Sequence, residues 1–148
     1  MAEHSIKIFA NIKEEVFRVM VDVQKYDEQT QRAIRKATRD GVAAVYDAAI
    51  RAAPIRATGN LRRGIEQAFD EKTCAGQVRA TAPHAHLVEF GTRERVTAPL
   101  RKKALKINAG FVRGWTFTGK MPKKPFMRPA IEKERANIES SIERALKP

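Results

Sequence analysis

Between Asp27 and Pro54 the only residue that disfavours a helix is Gly41. Ala33, Ile34, Ala37, Val42, Val45, Tyr46, Ala49 and Ile50 recur there mostly at steps of three and four, which draws an apolar stripe down one helical face. Asp27 supplies an N-cap, Glu28 puts an acid in the first turn, and Pro54 closes the run. A helix of about 25 residues is roughly 37 Å long. Its stripe is rich in alanine, so whatever covers it comes close. A chain of 148 residues suits one domain built around such a helix.

Other segments supply a sheet and a second helix. Phe17, Val19, Val21 and Val23 alternate with polar or longer residues, the period of a half-buried strand. Ser5–Phe9 is a weaker strand candidate. Leu61–Ile65 reads as a short helical turn after Thr58-Gly59-Asn60. Ile65–Thr73 and Gln77–Ala82 read as strands joined near Ala75-Gly76, where the glycine marks the turn. His84–Phe90 is short and ends at Gly91, a C-cap position. Leu105 and Ile107 on one side of Asn108-Ala109-Gly110, with Val112, Trp115 and Phe117 on the other, predict a hairpin. Pro129 falls in the first turn of a last helix striped by Ile131, Ile138, Ile142 and Leu146. The expected architecture is α+β: an antiparallel sheet with one long helix and a C-terminal helix packed on one face, plus a projecting basic hairpin or loop. It is a single domain over 1–148, with an N-terminal extension at 1–16 and a basic arm at 93–124. Its core is expected to hold Ile34, Val45, Tyr46, Ile50, Leu61, Val88, Phe90, Phe126, Ile138 and Ile142.

Charge is unevenly placed. Residues 93–128 carry eleven Lys or Arg against one acid, Glu94, so ten of the twelve net positive charges lie there. The cluster Arg101, Lys102, Lys103 and Lys106 is followed by Lys120, Lys123 and Lys124. Such a segment faces an anion. It is expected to be mobile in a free subunit and to order against acidic neighbours or phosphates. Basic residues interleaved with Phe111, Trp115 and Phe117 also match the composition of a nucleic-acid-binding module. Against that reading, the predicted hairpin would use those aromatics as cross-strand pairs, and no helix-turn-helix or RNP signature is present.

Several chemistries find little support. His84, His86 and Glu89 could be drawn as a metal site, but only His4 remains as a further histidine and there is no cysteine pair. Cys74, the one cysteine, lies at a strand end or turn and reads as a structural thiol in a reducing compartment. No phosphate-binding glycine loop occurs. No run of 18 apolar residues and no signal-peptide pattern is found, so neither a membrane partner nor secretion is expected. No enzyme activity, metal or cofactor is expected.

Three segments carry a resemblance. They are Ala53-Pro54-Ile55-Arg56-Ala57-Thr58-Gly59-Asn60-Leu61-Arg62-Arg63-Gly64-Ile65, His84-Ala85-His86-Leu87-Val88-Glu89-Phe90-Gly91-Thr92 and Lys124-Pro125-Phe126-Met127-Arg128-Pro129-Ala130-Ile131. In this order, after a long helix, they resemble the tail-completion or head–tail joining proteins of long-tailed bacteriophages. That family's pattern runs roughly AP-x-x-TG-x-LR-x-SI, YA-x-x-VEFGT and PF-x-RPAL. Ala57 lengthens the first motif by one residue, Gly64 stands where serine is usual, and His84 where tyrosine is usual. The resemblance implies a virion protein of the tail or neck, made in the host cytoplasm. It implies a homo-oligomeric ring, a hexamer on sixfold tail tubes, meeting tail terminator, tail tube or head-closure proteins, with genomic DNA a further contact. For Glu89, two readings stand: pairing with an arginine such as Arg128 or with a neighbouring subunit, or a solvated carboxylate on a capped short helix. Arg62 and Arg63 either contact a neighbour or are ordinary exposed arginines. Phe126 is expected in the core. Trp115 and the basic cluster complete the expected contact residues.

Overall fold

A computed structural model describes residues 6–11, 16–24, 26–55, 58–98, 105–107 and 110–147. Two hairpins interlock to form the main sheet. The strands are β1 (Ile6–Asn11), β2 (Val16–Val21), β3 (Ile65–Asp70) and β4 (Ala75–Ala80), in the antiparallel order β1-β2-β4-β3. The N-terminal extension therefore contains an edge strand, with Ile8 opposite Val19. Residues 1–5 and 12–15 lie outside the described residues.

α1 (Glu28–Ala52) follows its sequence signals at both ends. The Asp27 carboxylate accepts the Thr30 N–H at 2.9 Å and the Thr30 hydroxyl at 2.7 Å. Those donors, the backbone one foremost, hold the Asp27 carboxyl below its ordinary value. Ala53 caps the far end and Pro54 follows. The inner face of the helix lies on the sheet. Phe17, Val19 and Val78 are buried beneath it together with Ile34, Val42 and Val45.

The β3–β4 turn falls earlier than the glycine predicted. It occupies residues 71–74, not Ala75-Gly76. Asp70 builds it by accepting the Lys72 N–H and the Thr73 hydroxyl, each at 2.9 Å. This local side-chain chemistry makes the turn without glycine. Gly76 sits inside β4 because α1 crosses there: a Cβ at that position would lie 2.2 Å from Cγ2 of Val42. Arg35 and Arg39 of α1 fasten the turn, Arg35 to the Glu71 carbonyl and Arg39 to the Glu71 carboxylate. Cys74 is fully buried, with Sγ 3.7 Å from the Thr38 hydroxyl, and burial pushes its thiol above the usual value.

α4 (Met127–Leu146) packs along α1, burying Ala130, Ile131, Ile138 and Ile142. At the crossing, Gly41 faces Ile138: a Cβ there would come within 2.7 Å of Cγ1 of Ile138. The core expected from the sequence is largely present. Ile34, Val45, Leu61, Val88, Phe126, Ile138 and Ile142 are buried, while Tyr46 and Ile50 are half-buried at its edge. Phe90 departs from expectation at 48% exposed. It ends α3 (Ala85–Phe90), a helix too short to have more than one buried face, and Ala85, Val88 and Glu89 occupy that face.

A clasp at the base of a basic arm

The candidate functional site joins the second and third sequence motifs. Glu89 projects from α3 and is only 4% exposed. One carboxylate oxygen accepts the backbone N–H of Phe126 at 2.7 Å and of Met127 at 3.1 Å; the other accepts that of Arg128 at 3.0 Å. These amides begin α4, where helical N–H groups have no partner within the helix. Phe126, the residue at the cap position, has no side-chain acceptor of its own. Glu89 is thus an N-cap supplied from a distance, with its negative charge at the positive end of the helix dipole.

This geometry corrects the solvated reading of Glu89 and its pairing with the Arg128 side chain. The carboxylate is neither solvated nor paired with the Arg128 guanidinium. That guanidinium turns along α4 to Glu132, with Nε to Oε1 at 2.8 Å. Only the backbone of Arg128 meets Glu89.

Next to this cap the chain is pinned again. The Lys124 N–H donates to the Val88 carbonyl at 2.8 Å. The Thr92 N–H donates to the Met121 carbonyl at 2.9 Å, and the Met121 N–H donates to the Thr92 hydroxyl at 2.9 Å. Gly91 lies between these contacts at φ 74°. A Cβ on Gly91 would sit 2.7 Å from the Met121 carbonyl oxygen, so the residue answers both the backbone angle and the close approach. The motif Val88-Glu89-Phe90-Gly91-Thr92 and the segment 121–128 therefore form one clasp. The Thr92→Val variant should cost about 1 kcal/mol, because the Met121 N–H loses its hydroxyl acceptor. A lower urea midpoint and faster exchange of the Met121 amide are the expected readouts.

The described residues between Thr92 and Met121 leave the core as an arm. Four strands build it: β5 (Arg95–Thr97), β6 (Leu105–Ile107), β7 (Gly110–Val112) and β8 (Thr116–Gly119). β6 pairs with β7, and β5 pairs with β8, as two nested antiparallel ribbons. The predicted hairpin is present, but its membership differs. Leu105 opposes Val112 and Ile107 opposes Gly110. Trp115 and Phe117 do not join that hairpin. The chain bends at Arg113-Gly114; Trp115 follows the bend, and Phe117 pairs across the outer ribbon with Val96. Phe111 opposes Lys106. Phe111 and Phe117 thus have cross-strand partners, but the pairing covers none of the three aromatics. Phe111, Trp115 and Phe117 are 75%, 80% and 76% exposed.

The other expected contact residues divide as follows. Arg62 and Arg63 lie on α2 (Asn60–Arg63), and both are engaged within the chain. Arg62 donates to the Ala53 carbonyl at 3.0 Å, tying α2 to the end of α1, and Arg63 donates to the Thr58 carbonyl. Lys120, Lys123 and Lys124 are exposed where the arm returns to the core. Lys106 is placed on β6 by its backbone, but its side chain, and all of Arg101, Lys102 and Lys103, lie outside the described residues. Phe90 and Thr92 were missed as site residues. An aromatic in a short motif reads as core unless the length of its helix is considered. Among the described residues no group of three His, Cys, Asp or Glu side chains could hold a metal ion, and no helix is long and apolar enough to cross a membrane.

A family model described as "Bacteriophage HK97-gp10, putative tail-component" matches residues 18–91. The match spans half of the chain, from β2 through α3. The protein belongs to this family of phage tail components. Glu89 and Gly91 fall within the matched span; the arm and α4 lie beyond it. Comparison with the curated proteins and with the solved structures returns no match.

Proposed function

We propose that this tail component is a structural, non-catalytic subunit of the head–tail junction, which completes the tail and lets it join the head. Copies assemble as a ring, six on a sixfold tail tube, and each meets neighbouring tail or head-closure proteins. The observation that carries this reading is the clasp. A buried carboxylate and a doubly bonded Thr92–Met121 base fix an exposed arm to a rigid helix layer. That construction suits a part that presents a surface to a partner, because the arm contributes little to its own core. Phe90, beside the clasp and half exposed, is a second element of that contact surface.

Particles made without the protein should accumulate as separate heads and tails, and adding the purified protein should restore joining. Reversal of Lys102, Lys103 and Lys106 to Glu should leave the subunit's melting midpoint unchanged. It should reduce joining by roughly a hundredfold, since the reversed charges would repel the anionic groups that the basic segment meets, whether phosphates or carboxylates. Normal joining without the protein, or its absence from purified particles, would remove the proposal.

A further inference from the structure

The exposed aromatics and the charge of the arm select one kind of partner. Arg93, Arg113, Lys120, Lys123 and Lys124 are exposed, and none enters an ion pair among the described residues. Arg113 lies just before Trp115 in the chain and Lys120 just after β8, with Lys123 and Lys124 at the foot of the arm, and the ribbons leave Phe111, Trp115 and Phe117 uncovered. The cores of protein interfaces are enriched in aromatics and arginine but depleted of lysine. Residues 102–124 contain six lysines and no acid. An acidic protein would answer the charge and leave the rings without a counterpart. A duplex offers phosphates but hides its base faces. An unpaired strand offers both phosphates and planar bases, the combination that basic, aromatic-bearing surfaces bind.

We propose that the arm binds single-stranded nucleic acid, with bases stacked on Trp115 and Phe117 and phosphates held by Arg113, Lys120, Lys123 and Lys124. Trp115 and Phe117 stand two residues apart, about 7 Å along an extended chain. That is about twice the ~3.5 Å contact distance between carbon atoms, so the spacing accommodates one base. This binding does not rest on ring assembly, because every group it needs lies on one chain.

Trp115 is the only tryptophan in the chain, so its emission reports stacking directly. The intact protein would be titrated at low salt with oligothymidylate, with a duplex of equal length, and with polyglutamate. Oligothymidylate is expected to quench Trp115 and to bind at least roughly tenfold tighter than the other two probes. Substituting Trp115→Ala and Phe117→Ala together should weaken it by roughly tenfold to a hundredfold, read by anisotropy of labelled strand, while the melting midpoint stays near the parent's. Trp115→Phe alone should keep most of the affinity. Replacing Lys120, Lys123 and Lys124 by Gln should flatten the slope of log affinity against log salt by about 2. Equal or tighter binding of polyglutamate would assign the arm to an acidic protein and overturn the proposal. So would equal duplex binding without quenching, unweakened binding by the double alanine variant, or failure of every probe to bind.

Discussion

Glu89→Ala is expected to lower stability by about 3–5 kcal/mol, the largest effect of any single polar substitution among the described residues. Three backbone N–H groups of Phe126, Met127 and Arg128 would lose their acceptor at once. Phe126 and Met127 are buried, so water cannot readily replace the carboxylate at their amides. The alanine would also remove a negative charge from the positive end of α4. Glu89→Gln separates these contributions. Its single carbonyl oxygen can still serve Phe126 and Met127, while its NH2 group would face the Arg128 N–H. A loss of about 2 kcal/mol is expected, between the parent and the alanine variant. Urea unfolding measures both, and hydrogen exchange at residues 126–128 should report the local opening. If Glu89→Ala falls within about 1 kcal/mol of the parent, the carboxylate is not the cap described.

Ile138→Ala should cost about 3 kcal/mol and lower the melting midpoint by roughly 10 °C. Ile138 is buried at the point where α4 crosses α1 over Gly41. The crossing also makes a sharper test. Gly41→Ala alone brings a methyl within 2.7 Å of Ile138, and crowding outweighs the helix preference for alanine. A net loss of about 1 kcal/mol is expected. In the double variant the new methyl enters the space that the isoleucine vacates. The two losses should therefore fall short of additive by about 1–2 kcal/mol. Strict additivity would show that the two helices do not meet there.

The elements legible in the sequence are those whose signals are local. Asp27 and Pro54 bound α1 as their side-chain and ring chemistry dictates; β2 keeps its two-residue period from Phe17 to Val21, and α4 buries the isoleucines of its stripe. Misreadings arise where a distant contact decides. Gly76 looks like a turn residue, yet it is needed because Val42 lies against it. Glu89 finds its partners 37 to 39 residues further along the chain, a separation that no periodicity encodes. The second and third motifs were visible as strings, but not as two halves of one contact. In the arm, the bend at Arg113-Gly114 breaks the strand and moves Trp115 and Phe117 out of the hairpin their spacing predicted. The exposure of those rings could be read only after the strand register was known.

The Thr92–Met121 pair has a bearing on how such proteins diverge. The chain departs from the core at one hydrogen-bonded point and returns to the same point. Whatever lies between begins and ends at neighbouring atoms, so lengthening it adds only slowly to the entropy of closing the loop. The Glu89 hydrogen bonds and the α1–α4 crossing are made by residues outside the excursion. The arm is thus an exchangeable cassette. A change of its length or sequence leaves the hydrogen bonds at its two ends in place.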